Sequence, residues 1–153
     1  MLRQKLTLKA RALRYLSIRE YSPAELERKL QPYAAEGDDL AALLAWLKER
    51  GFLSETRFVE TYVRRQSARY GNARVLMELE RHGVSGSALS HAEAELQDSE
   101  FERAQSVWKK KFGTAPSDMR EKARQFRFLQ QRGFSGTVIR KVLKDADFSD
   151  DER

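Results

Sequence analysis

Tyr21-Ser22-Pro23-Ala24-Glu25-Leu26-Glu27-Arg28-Lys29-Leu30 reads as the opening of a helix. Ser22 suits the N-cap and Pro23 the first helical position, where its missing N–H is no loss. Glu25 stands where a carboxylate can close a capping box. Forty-nine residues later the chain reads Tyr70-Gly71-Asn72-Ala73-Arg74-Val75-Leu76-Met77-Glu78-Leu79. In both stretches an aromatic residue precedes an alanine by three, and a leucine follows that alanine by six. A third copy lies fifty residues further on, with Ala123 and Leu129 in register. Its aromatic is displaced to Phe112 by the loop Gly113–Ser117. The turn after this helix recurs too. His82-Gly83-Val84-Ser85 matches Arg132-Gly133-Phe134-Ser135, with glycine ending one helix and serine able to cap the next. The first copy lacks that turn and has a longer connection, Gln31 to Asp38. A period near fifty with three helices per copy means small helical bundles in tandem.

Local signals outside the repeat agree. Pro23, Pro32 and Pro116 are the only prolines, each where a helix should start or stop, and no run alternates like a strand. Ser99 with Glu102 and Asp118 with Glu121 repeat the cap-plus-three pattern more weakly. Gly51, Gly71, Gly83, Gly113 and Gly133 follow helical stretches and are expected to end them in the left-handed conformation. Leu40, Leu43, Leu44 and Leu47 form one apolar stripe, and Val138, Ile139, Val142 and Leu143 another. Phe58 with Tyr62, and Phe101 with Ala104 and Trp108, read as inward stripes; Trp46 and Phe128 lie off theirs. Met1 to Arg19 holds six basic residues and no acid, but Leu6, Ala10, Leu13 and Leu16 recur at helical spacing. This is a first helix with a basic outer face rather than a targeting signal.

The expected fold is therefore all-α, with about nine short helices in three tandem three-helix repeats forming an elongated, modular protein. The repeats span 1–53, 54–97 and 98–146, followed by an acidic tail at 147–153. Composition fits this. At 153 residues, 41% hydrophobic and 34% charged, the chain is too polar for one deep core and suits shallow cores in a row. It has no cysteine, which excludes disulfides and thiolate-bound metal and suits a reducing cytoplasm. No apolar run approaches the ~20 residues of a membrane span.

A catalytic reading finds no support. His82 and His91 are the only histidines, one at a helix end and one on a polar helix side, and both are expected at the surface. There is no Ser-His-Asp set, glycine-rich phosphate loop or HExxH spacing. Asp145, Asp147, Asp150, Asp151 and Glu152 lack the central glycine and spaced glutamate of a calcium loop and read as a solvated tail. The expectation is a non-enzymatic protein without metal or cofactor.

The basic residues carry more information, because they are not uniform. Arg64, Arg65, Arg69 and Arg74 have no acid between them, although residues 54–97 are neutral overall. Lys109, Lys110 and Lys111 precede Phe112, and Arg120, Lys122, Arg124, Arg127 and Arg132 follow along the next helix. Residues 98–144 hold twelve basic and five acidic groups. Such clusters attract anionic partners and suit phosphate contacts. For any one residue a solvated helix face is the simpler account.

The ordered motifs resemble a known family. Arg19-Glu20-Tyr21-Ser22, then Ala24-Glu25-Leu26 and Lys29-Leu30, is similar to the opening of the RecX family, regulators of the RecA recombinase. Leu53-Ser54-Glu55 leads into Arg57-Phe58-Val59 and Tyr62-Val63. Tyr70-Gly71-Asn72-Ala73-Arg74 leads to Glu78-Leu79 and His82-Gly83-Val84-Ser85. Lys110-Lys111-Phe112-Gly113 and Phe128-Leu129-Gln130-Gln131-Arg132-Gly133-Phe134 complete a series reaching from Leu8 to Leu143. No single piece is specific; their order is. The resemblance implies a protein that binds the RecA filament in its helical groove and contacts more than one protomer; the chain itself is expected to be a monomer. It implies lower ATP hydrolysis, strand exchange and co-protease activity in DNA repair, recombination and the SOS response.

Two other classes stay open. Short helices joined by a glycine turn, at 82–85 and 132–135, resemble helix-turn-helix DNA binders, yet no helix offers a base-reading set. An inert helical scaffold for another protein is the third. A filament partner and contact with single- or double-stranded DNA are compatible. The residues expected to bind are Arg64, Arg65, Arg69 and Arg74 in the middle repeat. In the third they are Lys109, Lys110, Lys111, Lys122, Arg124, Arg127 and Arg132. Arg65 and Arg69, four apart, are expected to share one helix face.

Overall fold

The structure, a computed structural model, describes residues 6–151, with side chains as far as Asp147. Arg3, Lys5 and Glu152 lie outside the described residues. Among those described there are nine α-helices, one 3-10 turn and no strand. They are α1 (Leu8–Ile18), α2 (Pro23–Leu30), α3 (Leu40–Glu49), α4 (Glu55–Ser67), α5 (Asn72–Arg81), α6 (Gly86–Gln97), α7 (Glu100–Lys111), α8 (Met119–Gln131) and α9 (Gly136–Asp151). The 3-10 turn, Gln31–Tyr33, follows α2. None of these helices is long and apolar enough to cross a membrane.

Most starts follow from local chemistry. Ser22 Oγ accepts from the Glu25 amide at 3.1 Å, Ser54 Oγ from Arg57 at 3.2 Å, and Asp118 Oδ1 from Glu121 at 2.7 Å. Thr7 and Asp39 cap α1 and α3 in the same way. Four expectations need correction. The Glu25 carboxylate does not close the capping box; it turns to Arg19 and His82. Ser99 and Ser85 make no side-chain cap, and the Ser99 hydroxyl instead accepts from Arg103 Nε at 2.9 Å. The acidic residues after 146 do not form a separate tail, because α9 continues through Asp151. Gly71 is not left-handed. Its φ is −77°, as an N-cap, while Gly51, Gly83, Gly113 and Gly133 have the expected positive φ.

Every extensively packed helix pair lies within one consecutive triplet of helices. The apolar core is correspondingly split in three. Ala12, Tyr21, Leu26, Leu30, Leu44, Leu47 and Leu53 form the first cluster. Phe58, Val59, Val75, Leu79, Val84, Ala92 and Leu96 form the second. Ala104, Trp108, Leu129, Phe134, Ile139, Val142, Leu143 and Ala146 form the third. The accessible surface is 10653 Å², whereas a compact monomer of this mass exposes about 8,000 Å². Dividing one core into three leaves more surface exposed than a single core of the same mass.

The repeated turn is more than a helix stop; it seats the preceding unit. Ser22 Oγ donates to the His82 carbonyl at 2.5 Å, and a Cβ on Gly83 would fall 2.4 Å from Ala24 Cβ. One repeat later the Gly71 amide donates to the Arg132 carbonyl at 2.8 Å. There a Cβ on Gly133 would fall 2.6 Å from Arg74 Cβ, and one on Gly71 would fall 2.3 Å from the Gly133 carbonyl carbon. The same joint is thus built twice, between the second helix of one unit and the turn of the next.

Candidate functional site

The second joint forms the floor and walls of a groove. Helix α4 stops at Ser67, and the amides of Arg69 and Tyr70 both donate to the Gln66 carbonyl. Arg69 thus lies in the turn just past the helix end, and it lines a different hollow from Arg65. Arg69 lines a hollow of about 280 Å³ together with Ala68, Val107, Lys110, Lys111, Phe128 and Arg132. Val107, Lys110 and Lys111 come from α7, where residues three and four apart share a face. Phe128 comes from α8, and Arg132 is the C-cap of that helix. Arg132 donates to the Arg69 carbonyl at 3.3 Å and lies 5.1 Å from the Phe128 ring and 5.4 Å from the Tyr70 ring. Lys111 Nζ lies 5.3 Å from the Phe128 ring. Four of the expected cations thus surround one apolar floor.

The other seven do not join them. Arg65 lines a separate hollow of about 220 Å³ between the first and second units, with Arg19, Glu20, Glu25, Tyr62 and His82. Arg64 is exposed, about 100° around α4 from Arg65. Arg74 pairs with Glu78 at 3.3 Å, stacks 3.8 Å from the Tyr70 ring and lines a different hollow with Met77 and Arg81. Lys109 is turned about 100° from Lys110, away from the groove. Lys122 lies about 160° around α8 from Arg124. Arg124 pairs with Glu121, and Arg127 is exposed on α8 about 100° from Phe128.

Electrostatics distinguish the groove from an ordinary surface. Among the described residues no ion pair or side-chain hydrogen bond neutralises Arg69, Lys110 or Lys111. Past Lys110 the groove continues into a hollow of about 360 Å³ lined by Ala68, Glu102, Arg103, Ser106, Val107 and Lys110. Glu102 is the acid at this end.

Two residues that sequence reasoning passed over hold the groove together. Arg103 Nη1 donates to the Ser67 and Tyr70 carbonyls, both at 3.0 Å, and Nη2 donates to the Leu96 carbonyl at 3.1 Å and to Asn72 Oδ1. Burial lowers the Arg103 pKa, against the raising effect of Glu100; a guanidinium still remains charged. Glu100 accepts from the Asn72 amide at 3.0 Å and from Ser135 Oγ at 3.1 Å, so one buried carboxylate ties α5 to the start of α9. The legible signal was Glu100 at four and eight residues before Ala104 and Trp108, an acid on an apolar stripe.

The histidines also differ from each other. His91 is exposed beside Glu95, as expected. His82 is not a free surface residue: it meets the Phe58 and Tyr62 rings edge-on and stands 3.3 Å from Glu25. Trp46, off its stripe, stacks on Phe52 beneath Lys9. Among the described residues no group of three His, Cys, Asp or Glu could hold a metal ion.

Known proteins place the chain. Residues 98–143 match the family model described as RecX, third three-helix domain. The chain is 51% identical over 152 residues to regulatory protein RecX of Herbaspirillum seropedicae, covering 99% of each. It is 50% identical over 145 residues to that of Ralstonia nicotianae, covering 95% of this chain and 91% of the relative. The crystal structure of RecX from Lactobacillus salivarius shares the fold, with a TM-score of 0.78 at 19% identity over 92% of this chain and 95% of that one. Identity of one half along nearly the whole length goes beyond shared fold, and by it this three-unit helical chain belongs to the RecX family of regulatory proteins.

Proposed function

We propose that this protein regulates the RecA nucleoprotein filament by lying in its helical groove and lowering its ATP hydrolysis, strand exchange and co-protease activity. It acts in the cytoplasm as a monomer, without a cofactor and without hydrolysing ATP. Its working units are 1–53, 54–97 and 98–146. Family membership supports a regulatory role, and the groove at the second joint is the observation that carries the contact. Arg69, Lys110, Lys111 and Arg132 stand around Val107 and Phe128, and among the described residues no ion pair neutralises the first three. Charges held this way speed encounter with an anionic partner, and apolar centres supply affinity. An extended row of units reaches further along a filament than a sphere of equal mass.

The test is the steady-state ATPase of the cognate filament on single-stranded DNA as the protein is added. The rate should fall with concentration, and Arg69→Ala with Lys110→Ala should shift the curve to higher concentration without altering the melting temperature. An unchanged rate over a wide concentration range overturns the proposal. Binding to naked DNA alone, with no effect on the filament, supports the DNA-binding alternative instead.

A further inference from the structure

We propose that the groove between the second and third units is a docking site for an acidic protein segment carrying one apolar anchor residue. This deepens the function proposed above, by naming the chemistry that this groove takes. The floor is apolar and small: Ala68, Val107 and Phe128 line a hollow of about 280 Å³, room for one or two aliphatic side chains. Arg69, Lys110, Lys111 and Arg132 ring it. An apolar centre inside a charged rim is the anatomy of a peptide anchor pocket.

Three observations favour an acidic peptide over a nucleic acid. A phosphate backbone places no apolar group on Val107. The rings that a base would stack on already hold cations, Arg74 and Arg132 against Tyr70, and Arg132 and Lys111 against Phe128. Base stacking on an open aromatic face is the main sequence-tolerant contribution to single-strand binding. The groove also differs along its length. Its Arg69–Lys111–Arg132 end carries no acid, whereas beyond Lys110 stands Glu102, beside an Arg103 whose guanidinium is taken up by backbone carbonyls. A strand of uniform negative charge running the whole length meets Glu102. A peptide places its acids at the cationic end, its anchor over Val107 and neutral residues past Lys110.

The probe is a fluorescein-labelled peptide of Asp and Glu leading to one Leu and then to Ser and Gly, followed by anisotropy on the full chain. Lys109 and Lys110 supply a matched pair, because they are adjacent on α7, exposed, and point to different sides of the helix. Lys110→Glu should weaken binding about tenfold, and Lys109→Glu, with the same net charge, less than about twofold. Changing the peptide's Leu to Ser should also weaken binding, and a thymidine oligonucleotide of equal charge should compete poorly. Equal loss in the two lysine variants, no loss on changing the Leu, or tight competition by the oligonucleotide overturns the proposal. The filament ATPase is measured on the same variants. A peptide that fails to bind while the ATPase still falls removes this inference alone; a peptide that binds while the ATPase is unchanged removes the proposed function alone.

Discussion

Gly71→Ala is the sharpest test of how the units are joined. By local geometry the change is harmless: φ is −77°, a region any residue adopts. A less flexible unfolded chain would stabilise by about 0.4–1 kcal/mol, and the poorer N-cap that alanine makes would take back a similar amount. The tertiary structure decides the sign. The new Cβ would stand 2.3 Å from the carbonyl carbon and oxygen of Gly133 and from the amide nitrogen of Phe134, all backbone atoms. No side chain can swing aside, so the turn must retreat by more than an ångström to reach ordinary contact. That breaks the bond from the Gly71 amide to the Arg132 carbonyl, a loss of about 1 kcal/mol. It also loosens the Glu100 bridge to Asn72 and Ser135, whose charged bonds are worth about 1.5–3 kcal/mol each when intact. The net expectation is a loss of about 2–4 kcal/mol, or roughly 5–12 °C in melting temperature for a chain of this size. Urea denaturation and thermal melts, followed by circular dichroism, measure it. Gly37→Ala is the control. There φ is +93° but the space is open, so only left-handed strain of about 1–2 kcal/mol applies. A Gly71→Ala protein as stable as the parent, or more so, refutes the close-approach argument.

Three further outcomes follow from named contacts. Ser22→Ala removes both the cap on the Glu25 amide and the bond to the His82 carbonyl, and should cost about 1–3 kcal/mol in urea denaturation; a loss no larger than that of Ser54→Ala, which caps only its own helix, contradicts the joint. The Tyr62 hydroxyl, with help from Arg74, holds the Glu78 carboxyl below its ordinary pKa of 4.5. A depressed carboxyl adds stability above its unfolded pKa and loses it as pH falls through the folded one; melts below pH 4.5 should therefore show a shallower acid loss in Tyr62→Phe than in the parent, and identical slopes would exclude that bond as the source. Trp108→Phe strips Gln125 Oε1 of its 2.8 Å donor inside the third core and should cost about 1–3 kcal/mol in thermal melts, with Gln125→Met in the same chain recovering part of it.

Helix starts and stops were legible because they are decided by neighbours in the chain. Ser22 and Asp118 cap the amide three residues on, and Gly83 and Gly133 take the left-handed turn that other residues avoid. The stripes of Leu44 with Leu47 and of Ile139 with Val142 and Leu143 fell in the cores for the same reason: a 3.6-residue period sends them to one side. The candidate site was less legible. Its cations were named, but a list of basic residues carries no direction. Arg65 and Arg69 line different hollows, with the end of α4 between them, and Lys109 and Lys110 part because successive helical residues diverge by about 100°.

What the sequence determined by itself was the all-helical content, the three-fold repeat and the family. Each rests on spacing and order along the chain, which can be read without knowledge of the fold. The tertiary structure alone decided what the repeated residues are for. Gly71 follows a helical stretch as the other glycines do, yet it is there because Gly133 arrives across the joint and leaves no room for a Cβ. Arg103 reads as one more arginine, yet its guanidinium binds carbonyls at Ser67, Tyr70 and Leu96. Residues 33 to 63 positions apart meet in these joints, and contact at that separation is set by how whole units pack, which no short window of sequence encodes.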